Sequence, residues 1–420
     1  MKLLVVVACL CTLAIAAQAN NTLVLVDDLA VERSHSIFFQ ALRDAGHELD
    51  FQRIDGDVEL EVFGDYHYDS AIIFAPHAED VSRAVRSEKI LEFVDAGHDV
   101  LIAADNHYSY FSGELASGSG ARFDAHNTGV IDHFHFDASD YDGDHTLIVA
   151  NNYDSLAVLG GSAPAPILYR GVGMRLVEGN SLVFPVLRGY GTSYSCVPDE
   201  PMDDMHTAGG NLVLAAGLQA RNNARIAITG SIELFSDEFI NSDVHIQGHE
   251  PVRSGNLDFA TRLAAWTFHQ TGELRLAHVS HHRVGEDGQQ HGTYSVLEDL
   301  QYNVHIEELV DGEWKSYSAD DVQVELQMLD PYIRQTLQDQ GDGNFVTTFV
   351  APDVYGVYTF KLDYNRVGYS YLSSREIVTI RPLRHDEYER FLTCAYPYYV
   401  GAFSMMAGVV LYAFIFMFSA

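Results

Sequence analysis

From Phe391 to Ala420 the chain carries no charged side chain, and residues 400–418 are almost wholly apolar. A helix needs roughly 20 such residues to cross a bilayer core of about 30 Å, where every backbone polar group must be bonded within the segment. The sequence therefore predicts one membrane helix over residues 397–419, tethering everything before it. At the other end, Lys2 is the only charge before Asp27, residues 3–16 are apolar, and Ala17-Gln18-Ala19 has the small-residue spacing of a signal-peptidase site. Residues 1–19 thus read as a cleaved signal peptide. The two segments together predict a single-pass type I protein with its bulk in a secretory lumen. Arg381, Arg384 and Arg390 flank the helix on that side, against the positive-inside tendency. A large domain already in translocation overrides that bias.

The net charge of −34 repels phosphate backbones and anionic lipid, which excludes nucleic acid as a partner. With 47% hydrophobic residues the chain is a folding one. Cys9 and Cys11 leave with the signal peptide; Cys196 and Cys394 sit far apart, so the fold is expected to rest on its cores and not on disulfides. Asn20-Asn21-Thr22 is the only N-x-S/T sequon and abuts the cleavage site.

Thr22-Leu-Val-Leu-Val26, Ala71-Ile-Ile-Phe74 and Val100-Leu-Ile-Ala103 are short apolar runs of the kind buried parallel strands show. Between them Phe38, Ala41, Leu42 and Ala45 recur at helical spacing before Gly46, and Ile90, Phe93 and Val94 do so before Gly97. Alternating strands and helices predict an open, doubly wound, largely parallel α/β domain over residues 20–272. After residue 275 the period becomes two: Tyr302, Val304 and Ile306 alternate with polar residues, as do Val322, Val324 and Leu326, and Tyr358, Phe360, Leu362 and Tyr364. That predicts an antiparallel β-sandwich over 276–382, followed by a linker at 383–396.

An open sheet binds ligands at the carboxyl ends of its strands, yet the usual devices are missing there. Asp27-Asp28 follows the first strand in place of G-x-G-x-x-G, and no phosphate-binding G-x-x-x-x-G-K-S/T occurs, so no cofactor cradle is legible. Ser231, after Thr229-Gly230, is the one serine offered as a nucleophile, against its reading as a turn serine; Cys196 lacks an elbow context. His133-Phe134-His135 would place two imidazoles on one strand face, with Asp132, Asp137 and His145 nearby, but no metal motif supports it. Asp140-x-Asp142-Gly143-Asp144 lacks a calcium loop's closing glutamate. His281-His282-Arg283, placed at the domain junction, reads as a hydrogen-bonding cluster or an anion site. The scaffold is enzyme-like without catalytic equipment, so no catalytic, cofactor or metal residue is assigned.

Several long strings resemble the family of 48 kDa subunits of the oligosaccharyltransferase complex. They include Thr22-Leu-Val-Leu-Val-Asp-Asp-Leu29, Tyr169-Arg-Gly-Val-Gly-Met174 and Gly217-Leu-Gln-Ala-Arg-Asn-Asn-Ala-Arg225. Ser280-His-His-Arg-Val-Gly285, Asp363-Tyr-Asn-Arg366 and Ala395-Tyr-Pro-Tyr-Tyr399 continue the likeness into the anchor. The resemblance implies a non-catalytic subunit in the endoplasmic reticulum membrane, needed for assembly and full activity. Its partners would be the other subunits, including a separate catalytic one that moves a dolichyl-diphosphate-linked glycan to Asn of N-x-S/T. It implies a flavodoxin- or amidotransferase-like first domain without the catalytic residues. It also implies a short lysine-bearing tail; here the sequence reads Met417-Phe-Ser-Ala420, and retention is expected to come from partners. Ser404 and Gly408, at small-residue spacing, are the expected packing positions of the helix. Two alternatives remain: a tethered lumenal hydrolase using Ser231, and a lipid-anchored surface protein, for which Tyr396-Pro-Tyr-Tyr399 stands where a polar spacer belongs.

Overall fold

The computed structural model describes residues 20–139, 143–198, 207–246, 248, 250–286, 289–310, 312–388 and 393–419. The signal-peptide segment and most of the Asp140–Asp144 motif lie outside them.

The first domain is built on a ten-stranded sheet. Its main strands are β1 (Asn20–Val26), β2 (His47–Arg53), β3 (Ser70–Phe74), β4 (Asp99–Ala103), β5 (Val183–Arg188), β6 (Val213–Gln219) and β7 (Arg225–Thr229). Five are parallel, in the order β2-β1-β3-β4-β7. β6 and β5 then continue the sheet antiparallel. The expected parallel character therefore stops at β7. Only residues 220–224 join β6 to β7, and a parallel neighbour would need a crossover of a dozen residues or more.

Helices cover both faces. Val24 and Val26 of β1 pack with Phe38 and Phe39 of α1 (Ser36–Asp44), on the side that α4 (Asn256–Thr267) also covers. Leu23 and Leu25 point the other way, toward α2 (Ser87–Asp95) and α3 (Tyr110–Gly118). A strand buried on both faces needs apolar residues at every position, and this is why β1 shows no alternation.

The second region contains β8 (Glu273–Arg283), β9 (Thr293–Ser295), β10 (Asp299–Val310), β11 (Gln323–Gln327), β12 (Pro331–Thr336), β13 (Asn344–Val350), β14 (Gly356–Tyr364) and β15 (Leu372–Arg381). With two further short strands, Glu313–Ser316 and Gln338–Asp339, they form two five-stranded sheets, one centred on β8-β10-β13 and the other ordered β9-β15-β14-β11-β12. Pairing is antiparallel except where β9 runs parallel to β15. One buried cluster draws on both sheets, including Tyr302, Val304 and Ile306 from the first and Tyr358, Phe360 and Leu362 from the second. The period of two is this inward alternation.

The region has two ends. The turn between β14 and β15 lies against the first domain, where Tyr369 and Tyr371 are hydrogen-bonded to β6 and to the β6–β7 turn. β14 begins and β15 ends at the opposite end, with Gly356 paired to Ile380. From there the chain leaves toward α5 (Tyr396–Phe418), a helix with every residue exposed and Pro397 in its first turn.

Candidate functional site

The sheet order reverses between β1 and β3, since the chain passes from β1 to β2 on one side and returns to β3 on the other. A crevice at such a point is where ligands of open sheets bind. Here Asp27 follows β1, His77 follows β3, Asp105 follows β4 and Ser231 follows β7. The backbone N–H of His77 donates to Asp27 Oδ2 (3.2 Å), and its Nε2 lies 3.7 Å from Asp105 Oδ2. Asp27 and Asp105 each also accept the N–H of the following residue, at 2.8 and 2.7 Å. These carboxylates thus hold the loops that carry them. Glu233 sits deeper. Burial pushes its carboxyl up, the Arg170 guanidinium at 3.6 Å pulls it back, and Asp105 adds to the rise.

Beside the crevice lies an open cleft of about 930 Å³ whose lining includes His77, Arg86, His107, Tyr108, Glu114 and His126. The volume falls in the range of small-molecule sites. Its hydroxyl–carboxylate pair, Ser87 Oγ donating to Glu114 Oε2 at 2.5 Å, joins α2 to α3, and Ser87 is buried. His107 and His126 both reach Asn127 Oδ1, at 2.6 and 2.9 Å. The cleft offers hydrogen-bonding groups on a mostly polar wall.

Ser231 is no exposed nucleophile. It is fully buried, its Oγ donates to the Arg170 carbonyl (2.5 Å) and accepts from the Leu234 N–H (3.3 Å). Two backbones cross immediately beside it. A Cβ on Gly171 would stand 2.1 Å from the Gly230 carbonyl oxygen, and one on Gly230 would stand 2.0 Å from that of Val172. Only residues without a Cβ allow this approach. Tyr169, fully buried, donates its hydroxyl to the Val172 carbonyl (2.7 Å) and holds the same crossing. Tyr169-Arg-Gly-Val-Gly-Met174 and Gly230-Ser231 are therefore one packing unit, and the hydrolase reading finds no support in it. Cys196, also buried, lies on a short strand paired with Gly129–Ile131.

His133 and His135 do not share a strand face. They lie in a turn whose N–H groups at 134 and 135 bond Asp132 Oδ1, and the rings diverge. His133 meets His145 (Nδ1 to Nδ1, 2.6 Å) and Tyr194, while His135 stacks on Tyr190 with centroids 3.9 Å apart. Burial alone would raise the pKa of Asp132; bonds from Ser193, Phe134, Thr192 and His135 outweigh it and hold the carboxyl below its ordinary value. Among the described residues, no group of three or more metal-ligating side chains comes together.

His281-His282-Arg283 is not at the domain junction. It ends β8 at the far end of the second region, because β8 starts at the junction and runs away from it. His281 Nδ1 lies 2.6 Å from Tyr294 OH; burial, then the neighbouring His282 and His291, push its imidazole down to about 4. It is neutral at pH 7 and forms part of a hydrogen-bonded core.

The junction itself is held by groups that local periodicity does not reveal. Arg225 is fully buried; its guanidinium donates to the carbonyls of Trp266 (2.6 Å), Thr271 (2.8 Å) and Gly272 (2.7 Å). It thereby closes the carboxyl end of α4, where a cation is favoured. Burial brings its pKa down to about 10, so it stays charged. Trp266 Nε1 donates to the Gly368 carbonyl (3.0 Å), Gln219 Nε2 to that of Tyr369 (2.5 Å), and Asn223 Oδ1 accepts from the Tyr371 N–H (2.7 Å). A Cβ on Gly272 would lie 2.2 Å from the Gly368 carbonyl oxygen. The string from Gly217 to Arg225 thus belongs to the joint, and Asp363-Tyr-Asn-Arg366 leads into the turn it grips.

On α5, Ser404 and Gly408 stand one turn apart on one face, and Ser404 Oγ donates to the Gly401 carbonyl (2.9 Å). By length and composition the segment Thr393–Phe418 is able to cross a membrane.

Comparison with known proteins follows the same two-part division. The family model described as "OST48, N-terminal domain" matches residues 13–270, and that described as "OST48 middle domain" matches residues 281–420. The chain is 42% identical over 408 residues to the Drosophila melanogaster dolichyl-diphosphooligosaccharide–protein glycosyltransferase 48 kDa subunit, covering 94% of this chain and 91% of that one. The like-named subunit of Danio rerio is 42% identical (95% and 91% covered), and that of Arabidopsis thaliana 41% (95% and 93%). Among solved structures, the PmoD soluble domain of Methylocystis aligns over 25% of this chain and 90% of its own, at 10% identity and a TM-score of 0.18, which carries no argument about fold. The chain belongs to the OST48 family, the 48 kDa subunits of dolichyl-diphosphooligosaccharide–protein glycosyltransferase.

Proposed function

We propose that the chain is an accessory, membrane-anchored subunit of the oligosaccharyltransferase complex of the endoplasmic reticulum. In this reading it supports transfer of a dolichyl-diphosphate-linked glycan to Asn of N-x-S/T, and a different subunit performs the chemistry. The observation that carries this is identity of about 42% to proteins of that name over 94% of the chain. The buried state of Ser231 and the structural duties of Asp27 and Asp105 agree with an accessory role.

Residues 1–19 are a signal peptide and residues 397–419 the anchor, with type I topology and the bulk in the lumen. Residues 20–272 form a flavodoxin- or amidotransferase-like body, a reading supported by the reversal between β1 and β3 and by helices on both faces. Residues 276–382 form a β-sandwich, supported by the core drawn from both sheets, and 383–396 are the linker. Ser404 and Gly408 let a neighbouring membrane helix approach closely.

Extraction in mild detergent and affinity capture of the tagged chain tests the reading. Stoichiometric recovery of the catalytic subunit is the expected result. Recovery as a free monomer from membranes active in glycan transfer would overturn it.

A further inference from the structure

Four loops meet at the end of the β region where β15 stops. The Val296 N–H donates to the Arg381 carbonyl (3.0 Å), that of Ala351 to Glu298 (2.8 Å), and that of Val284 to Asp299 (3.0 Å). A Cβ on Gly356 would lie 2.7 Å from Met328 Sδ, which sets the β11–β12 turn beside the start of β14. Each loop carries an apolar side chain at its tip, turned outward: Val284 is 52% exposed, Leu297 63%, Leu329 92% and Tyr355 68%. Leu297 also holds a left-handed backbone, φ +59°, which a leucine adopts at a cost.

This is the end from which the chain runs to α5. Arg381 pairs with Glu387 in bidentate fashion (2.7 and 2.8 Å), and the Arg384 N–H donates to the same carboxylate, so the first part of the linker is folded back onto this end. From Glu387 to Tyr396 an extended chain spans at most about 30 Å. The opposite end of the region lies a further strand length away, about 35 Å for the eleven residues of β8. The tether therefore holds the apolar tips, and not the opposite turn at Val367, close to the bilayer that receives the helix.

We infer that the tips at Val284, Leu297, Leu329 and Tyr355 insert into the interfacial layer of the membrane in which α5 is anchored. The inference rests on the reading of α5 as a membrane span. The occupant is a zwitterionic lipid surface. Asp330, Asp353 and Glu286 lie near the tips, and Arg283 and Arg381 are paired with Glu298 and Glu387. No surplus of positive charge invites anionic headgroups, so the contact is apolar and insensitive to salt. The side chains project from separate loops, as wedges in a lipid layer do.

The test uses the full chain in phosphatidylcholine proteoliposomes, with Cys394→Ser and Cys196 left buried. Single cysteines replace Leu297, Leu329 or Tyr355 and carry an environment-sensitive fluorophore; Val367→Cys and Gly408→Cys serve as references. Phosphatidylcholine bearing a doxyl group near its glycerol end is expected to quench the three tip labels by about twofold or more, at low and high salt alike. The label at 367 stays unquenched, and that at 408 is quenched by doxyl groups deeper in the chain. Three independent sites keep the result readable if one variant misfolds. The inference is overturned if 408 is in lipid while all three tips behave like 367, or if the tips become shielded only when sister subunits are added. If 408 itself is outside lipid, the anchor reading fails first, and that outcome is separately visible.

Discussion

Two gatherings of polar side chains stand in contrast, the crevice at the ends of the parallel strands and the joint between the domains. In the crevice Asp27, His77 and Asp105 are partly exposed, and their bonds tie each loop to itself and to the loops beside it. In the joint Gln219 and Asn223 reach across to backbone groups of the second region, 150 and 148 residues away in sequence, and Arg225 fixes the chain at Trp266, Thr271 and Gly272 where it enters that region. The first arrangement resembles an enzyme cleft in position alone; the second immobilises two domains against each other. A chain of this design keeps its demanding polar contacts for holding shape.

The sharpest way to break that contrast is to remove the joint. Arg225→Ala removes three buried hydrogen bonds from a guanidinium and leaves a cavity beside Trp266, and should cost about 4 kcal/mol, read as a fall in the urea midpoint of the detergent-solubilised chain. If Arg225→Ala costs no more than a surface substitution, the joint is not what holds the body. Trp266→Phe deletes the hydrogen bond to Gly368 and leaves a smaller ring beside Phe184 and Arg225; a loss of about 2–3 kcal/mol is expected, together with faster proteolysis between the domains.

Ser231→Ala addresses the crevice. It should lower stability by about 1 kcal/mol through the lost bond to Arg170 and leave glycan transfer by the purified complex unchanged. Loss of transfer with an intact melting curve would return the crevice to chemistry. The pH dependence gives a smaller signal. The His281 imidazole is ordinary at 6.5 when unfolded and pushed down to about 4 when folded. The unfolded chain therefore takes up the proton first as pH falls. The stability this group contributes is present above 6.5 and is lost progressively toward 4. His35 and His47, also lowered by burial, act in the same direction. His281→Gln should flatten that part of a denaturation-versus-pH curve. Smallest of all, Leu297→Gly relieves the positive φ and should leave stability unchanged or raise it by up to about 1 kcal/mol, while abolishing the apolar tip.

Much of the framework is legible in the residues. The charge-free terminus gave α5 to within a residue, the apolar runs at 22–26, 71–74 and 100–103 gave β1, β3 and β4, and the period of two gave β10, β11 and β14. What stays hidden is long-range. Nothing local in Gly217-Leu-Gln-Ala-Arg shows that Gln219 bonds Tyr369, because the contact joins segments with unrelated periodicities. The direction of β6 is set by the shortness of the 220–224 turn, a feature visible only once both strand boundaries are known. His281-His282-Arg283 was legible as a cluster but not in place, since the length of β8 carries it to the other end of its sheet. The glycines at 171 and 230 are punctuation in the sequence and a backbone crossing in space.

Gly272 and Gly368 have a mechanical consequence. With no Cβ between them, two main chains rest on each other without a compressible layer, braced by Trp266 and Arg225. The joint then has little room to bend under load. A force applied to the outer face of the α/β body would pass through this contact and along β8, and emerge as a tilt at Leu297, Leu329 and Tyr355. The two regions are in this sense one strut, and a push on either end is felt at the other.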